Sequence, residues 1–178
     1  VETGDPGDPP AELTAEAGRV VPDPYLAGNL FHGPAFQLMK RCEITDHGAS
    51  MILDAGAGSV PIGLLHPALL DAALHGIPHD QLHQWTSEIS KDKVAYPARI
   101  ASLTLYGEIP ARGEVRCEVR FDGYLAKPDL PRFRIQLIGD AGVFAELSLV
   151  EACFPKGALG GASPLDRRSF LRDRKFVE

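Results

Sequence analysis

The run HPALLDAALHGI, from His66 to Ile77, limits what this chain can fold into more than any other stretch. Pro67 suits a first helical position, where the N–H it lacks would be unpartnered in any case. Leu69, Leu70, Ala73, Leu74 and Ile77 recur at helical spacing and share one face. The other side offers Ala68, Ala72 and Gly76, and the run contains no Lys, Arg or Glu. A helix that is small or apolar nearly all round has to be covered by the rest of its domain. Its one carboxylate, Asp71, is followed a turn later by His75 on the same flank. A carboxyl on a buried helix must be hydrogen-bonded, kept protonated, or both. That makes Asp71 a candidate for acid–base chemistry. The structural alternative is that Asp71 cross-links backbone and His75 is only its partner.

The cover for this helix comes from strands. Glu114 to Phe121 alternates strictly, with Val115, Cys117, Val119 and Phe121 on one face and Glu114, Arg116, Glu118 and Arg120 on the other. Arg132 to Ile138 repeats the pattern, and Asp140-Ala141-Gly142 turns the chain into a return strand, Val143 to Cys153. Tyr96 to Tyr106 is a further strand. Upstream, Phe36 to Thr45 and Ser50 to Ala55 form a hairpin around Asp46-His47-Gly48. One buried helix, preceded by a hairpin and followed by an antiparallel meander, makes the class α+β, with the helix packed on one sheet face.

The ends read as connectors. Residues 1–24 are acidic and Pro/Gly-rich, with a short helix expected near Ala11 to Ala17, and are expected to be a linker. Residues 156–178 pass from glycines into a charged segment, RRSFLRDRKF, expected to be an exit linker with a helical end. The chain thus looks like the middle of a longer polypeptide, with its domain at residues 25–155. The 178 residues carry a net charge of −6, which argues against a nucleic-acid partner. No apolar run reaches the length of a membrane span. Cys42, Cys117 and Cys153 are scattered, without a CxxC, so neither a disulfide framework nor a cysteine zinc site is expected. A cytoplasmic location is the simplest expectation.

Other motifs carry less. His75, His79 and His83 repeat at i, i+4 and i+8, as zinc ligands on one straight helix would, but Pro78 interrupts that helix. No metal is expected. AGAGSVPIG, residues 55–63, lacks the third glycine and the strand-to-helix setting of a dinucleotide site. Ser59 is not in a G-x-S-x-G elbow. Arg167 to Lys175 reads as solvated charge, with contact to a neighbouring domain or an acidic partner protein as the alternative.

Two stretches together resemble a known family. FHGPAFQ, residues 31–37, is similar to the GPxFQ signature of the second half of polyketide-synthase dehydratase domains, and HPALLDAALH is similar to their HPxLLDxxxQ/H motif. The resemblance covers residues 25–153 and implies a hot-dog fold, a long central helix wrapped by an antiparallel sheet. The exit segment looks closer to the dehydratase-like regions of polyunsaturated-fatty-acid and enediyne synthases. By resemblance, Asp71 matches the catalytic acid and His75 its Q/H partner, while His32, Gly33, Pro34 and Gln37 match the motif that shapes the substrate pocket. The implied reaction removes water from a 3-hydroxyacyl chain carried on the phosphopantetheine arm of an acyl carrier protein, with no further cofactor. A histidine takes the α-proton and the aspartic acid protonates the departing hydroxyl. For that, burial of Asp71 would have to outweigh the dipole of a nearby helix N-terminus.

One departure is large. The family's catalytic histidine lies in an HxxxGxxxxP motif in the first hot-dog, and none of the six histidines here has Gly four residues on. The resemblance therefore implies the C-terminal half of a dehydratase, with the base supplied by an upstream half of the same polypeptide. The alternatives are a non-catalytic hot-dog serving as scaffold or carrier-docking module, and a product-template domain that steers cyclisation. A sheet edge left open by a missing half would invite pairing, so a homodimer is expected of the isolated chain.

Overall fold

The structure is a computed structural model that describes residues 6–27, 30, 32–157 and 163. Seven antiparallel strands form one sheet: β1 (Arg19–Val20), β2 (Met39–Ile44), β3 (Gly48–Asp54), β4 (Lys93–Leu105), β5 (Glu114–Tyr124), β6 (Pro131–Gly139) and β7 (Gly142–Pro155). Their order across the sheet is β1-β2-β3-β5-β6-β7-β4. Among the described residues one α-helix, α1 (Pro67–Ala72), lies between β3 and β4 in the chain. This is a hot-dog fold, and its helix is shorter than the sequence implies.

The alternating strands build the inner face row by row. Met51 pairs with Cys117, Cys117 with Leu137, and Leu137 with Ala145. The next row runs Ala49, Val119, Ile135, Leu147. All eight of these side chains are buried. Burial of each such apolar side chain contributes on the order of 1.5–3 kcal/mol, which offsets the chain entropy lost on ordering the sheet. Against these rows sit Ala68, Leu69, Ala72, Ala73 and Ile77, all buried.

The expected long helix stops at Ala72. Up to Ala73 the amides bond back to Leu69 and His66 with α-helical spacing, but Leu74, His75 and Ile77 bond to Asp71, Ala72 and Leu74, three residues back. Two local causes act together. Pro78 supplies no N–H and disfavours α geometry at Ile77. Gly76 is a poor helix former. It lies so close to the sheet that an added Cβ would sit 2.8 Å from Met51 Sδ and 3.1 Å from Ala49 Cβ. The tight descent onto β3 replaces the last helical turns. At the other end His66 caps α1: its Nδ1 accepts from Leu69 N–H (3.2 Å) and its Nε2 meets Ala55 O (2.9 Å).

Residues 11–21 differ from the linker expected there. They form no helix but run along the outer sheet face, and β1 pairs with β2. Leu13 N–H donates to Gln136 Oε1 (2.7 Å), Gln136 Nε2 donates to Ala11 O (3.2 Å), and Arg116 and Arg120 donate to Leu13 O and Thr14 O. Beneath this strap Gln136 and Glu118 are fully buried, and Glu118 accepts from Ser50, Arg116 and Arg120. The polar side of the alternation is thus covered by backbone rather than by water. Between α1 and β4 the chain makes a short 3₁₀ turn, Leu82–Gln84. The expected exit helix, and Phe31 of the FHGPAFQ motif, lie outside the described residues.

Candidate active site

Asp71 is the next-to-last residue of α1 and projects from the flank that the sheet does not cover. Its side chain is 34% exposed, so it is neither sealed in an apolar site nor placed at the positive end of the helix. His75, one turn on, is the buried partner, with 2% of its side chain exposed and Nε2 3.1 Å from Asp71 Oδ2. His32 approaches the same oxygen, its Nε2 at 3.4 Å. The His32 and His75 rings lie against each other, centroids 4.2 Å apart and tilted by 44°. Burial and the neighbouring His75 hold the His32 pKa below the ordinary histidine value.

The FHGPAFQ segment delivers His32 to this point. Pro34–Phe36 form a 3₁₀ turn with Gly33 as its cap, and Gln37 Nε2 donates to the His32 carbonyl (2.7 Å). Gly58 lies against this turn so closely that an added Cβ would be 2.7 Å from Ala35 O. Of the four residues expected to shape the pocket, His32 lines a cavity; Gly33, Pro34 and Gln37 build the turn that holds it.

That cavity measures about 520 Å³ and opens beside Asp71 and His75. Leu30, Met39, Leu74 and Val94 give it apolar wall, and His32, Asp71, His75 and His79 are among its polar groups. A volume of this order fits a small acyl group with a few polar contacts.

Sequence reasoning missed three participants. Tyr25, buried, places its hydroxyl 2.8 Å from His75 Nδ1, and the Met39 amide N–H donates to the same hydroxyl (3.3 Å). Burial pushes the Tyr25 pKa up to about 12. Nothing in the sequence around Tyr25 signals this contact. The second and third are His79 and Glu151. Glu151 is fully buried on β7, and its Oε1 lies 2.9 Å from His79 Nδ1 as an ion pair, off the line of a directed hydrogen bond. Burial alone would lower the His79 pKa; the Glu151 carboxylate, together with Asp80 and the Leu74 backbone, leaves the value raised. Glu151 was legible in principle: it continues the inward series Ala145, Leu147, Leu149 at period two.

The histidine series weighed for metal is not assembled. His79 faces Glu151, and His83 is exposed on its 3₁₀ turn. Among the described residues the group whose ligand atoms come together is instead His32, Asp71 and His75, all within 4.8 Å of one another.

A hot-dog sheet with a carboxylate beside two stacked histidines at the mouth of an acyl-sized cavity defines a candidate acid–base site. The family it belongs to follows from comparison. Residues 4–150 match the model of the family described as "Polyketide synthase dehydratase N-terminal domain", and the chain belongs to the polyketide synthase dehydratase family. That description names the N-terminal domain, whereas the aspartate motif resembles the second half. Solved structures with the same fold include GphF Dehydratase 1 (TM-score 0.57, 18% identity, covering 80% of this chain and 53% of that one). The dehydratase domain of RzxB from Pseudomonas fluorescens is similar (TM-score 0.55, 22% identity, 75% and 49% covered). So is the dehydratase domain from the CurJ module of curacin polyketide synthase (TM-score 0.52, 15% identity, 70% and 44% covered). The chain spans about half the length of these structures. No curated protein matches it.

Proposed function

We propose that this chain is the aspartate-bearing, second half of a dehydratase that removes water from 3-hydroxyacyl chains on the phosphopantetheine arm of an acyl carrier protein. The observation that carries the reading is Asp71: a carboxyl gripped on one oxygen by His75, near His32, and facing a cavity of acyl size. A scaffold has no need of such a cluster. The step assigned to it is proton delivery. A histidine base takes the α-proton, the C–O bond at the β-carbon breaks as the α,β double bond forms, and Asp71 gives its proton to the departing hydroxyl to make water. The base is assigned to the half that carries HxxxGxxxxP. Both ring nitrogens of His75 and the Nδ1 of His79 already face protein groups.

The partner half, or a second copy of this chain, is assigned to the open edge of the sheet. β4 is the terminal strand opposite β1, and Tyr96 and Ile100 on it are exposed beside Phe154. An unpaired edge of this length invites further pairing. The test is turnover of a 3-hydroxyacyl-pantetheine thioester followed by mass spectrometry. Loss of water is expected when the chain is joined to its upstream half, and none from the chain alone. Turnover by the chain alone would place the base within it and overturn the division of labour.

A further inference from the structure

Three side chains of the kinds that ligate metal meet beside the cavity. Asp71 Oδ2 lies 3.1 Å from His75 Nε2 and 3.4 Å from His32 Nε2, and one ligand atom from each residue falls within 4.8 Å of the others. A tetrahedral zinc ion with bonds of about 2.0–2.2 Å holds neighbouring ligand atoms roughly 3.3–3.5 Å apart. The two separations from the carboxylate are already close to those of atoms sharing one ion. His32 is the imidazole with room to adjust to the third: its side chain is 21% exposed, against 2% for His75.

The elements that supply these groups are held separately. Asp71 and His75 are four residues apart, the spacing that puts two ligands on one flank of a helix. His32 comes from the FHGPAFQ turn, where Gln37 Nε2 donates to its carbonyl. All three residues line the cavity, so the fourth position of a four-coordinate ion would face it. The outer contacts suit the role. A histidine bound to metal through Nε2 carries its proton at Nδ1 and is oriented by an acceptor there. The Tyr25 hydroxyl oxygen, 2.8 Å from His75 Nδ1, is an atom able to accept it.

We propose that His32, Asp71 and His75 form a site for a divalent metal ion of the zinc class, open to the cavity, and that an ion held there takes Asp71 out of acid chemistry. Two imidazoles and one carboxylate favour such an ion over Ca²⁺ or Mg²⁺, which take oxygen ligands. The blocking of acid chemistry rests on the dehydratase reading of Asp71; the binding does not. With an ion on Oδ2 the carboxyl is held deprotonated and has no proton to give to a departing hydroxyl.

The test uses the untagged 178-residue chain, freed of metal with EDTA and then dialysed. Co²⁺ is added first and followed by its visible absorption, and Zn²⁺ is then added in competition. One equivalent of Co²⁺ is expected to give the strong bands of a four- or five-coordinate ion, and one equivalent of Zn²⁺ to abolish them. His32→Ala and Asp71→Asn are each expected to weaken Zn²⁺ binding about tenfold or more, while His83→Ala, on the exposed 3₁₀ turn, leaves it unchanged. Absence of the bands, or the same affinity in His32→Ala as in the native chain, overturns the site. If either variant fails to fold, ¹⁵N-histidine spectra of the native chain decide. Zn²⁺ is expected to shift Nε2 of His32 and His75, and a shift confined to other histidines overturns the proposal. Once water loss is established in the longer polypeptide, Zn²⁺ is expected to suppress turnover and EDTA to restore it; full turnover with the site saturated overturns the blocking role. Because the titration needs no substrate, a failed dehydratase reading and a failed metal site give different results.

Discussion

His75 Nε2 lies 3.1 Å from Asp71 Oδ2, one helical turn along the chain, while the rest of the histidine is packed out of water. The pair is built asymmetrically: the base-like member is fixed and hidden, and the carboxyl stands partly open to the cavity. Removing the hidden member has a stability cost that is separate from any catalytic one. His75→Leu removes a buried hydrogen-bond partner of the Tyr25 hydroxyl, and such a loss costs about 1–3 kcal/mol. Urea unfolding monitored by fluorescence should show that loss, and His75→Gln should recover most of it.

The His79–Glu151 pair makes stability depend on pH in a defined direction. His79 holds its proton more tightly folded than unfolded, so its contribution is fully present below the ordinary histidine value of about 6.5 and is lost as pH rises through the higher folded value. Glu151→Leu removes the counter-charge of His79, whose side chain is 21% exposed, and should destabilise the fold by about 1–3 kcal/mol. Thermal melts at pH 5.5 and 8.5 (roughly one to two units either side of that value) should fall on going to the higher pH for the native chain. The variant should not show the fall.

Gly58 packs where no side chain fits. A Cβ there would come within 2.7 Å of the Ala35 carbonyl, a backbone atom of the turn that carries His32. Gly58→Ala should cost about 1–3 kcal/mol, the usual penalty for overpacking, and should weaken the His32–Asp71 contact. A denaturation midpoint close to that of the native chain would contradict this reading of the loop.

The N-terminal strap is expected to be part of the folded unit. Deleting residues 1–16 uncovers Glu118 and Gln136, removes the backbone partners of Gln136, Arg116 and Arg120, and takes away Glu12 and Glu16. At about 1 kcal/mol for each of these four hydrogen bonds, roughly 4 kcal/mol of stability should disappear. Equal urea midpoints for the two forms would return the segment to the status of a linker.

Much of the sheet was legible because its signal is local. Strict alternation in Glu114 to Phe121 and Arg132 to Ile138 places each side chain on a face before any partner is known, and the pairing of Cys117 with Leu137 follows from that face. The helix was legible in place but not in length, since its end is set by the approach of Gly76 to Met51, a contact across the fold. The strap was hidden for a related reason. Residues 11–16 have no period of their own, and what orders them is backbone pairing to polar residues of β5 and β6. At the site, Asp71, His75 and His32 could be singled out from their stretches. Their convergence on one oxygen, and the contributions of Tyr25 and Glu151, arise from long-range packing that no local pattern encodes.

The role of Asp71 is decided by the rate of water loss from a 3-hydroxyacyl-pantetheine thioester in the longer polypeptide, with Asp71 intact, Asp71→Asn and Asp71→Glu. Turnover is expected of the intact protein. A loss of about 100-fold or more is expected in Asp71→Asn, which has no acid proton to give, and partial activity in Asp71→Glu. Undiminished turnover in a correctly folded Asp71→Asn protein would rule out proton delivery by this carboxyl and reduce Asp71 to a structural partner of His75.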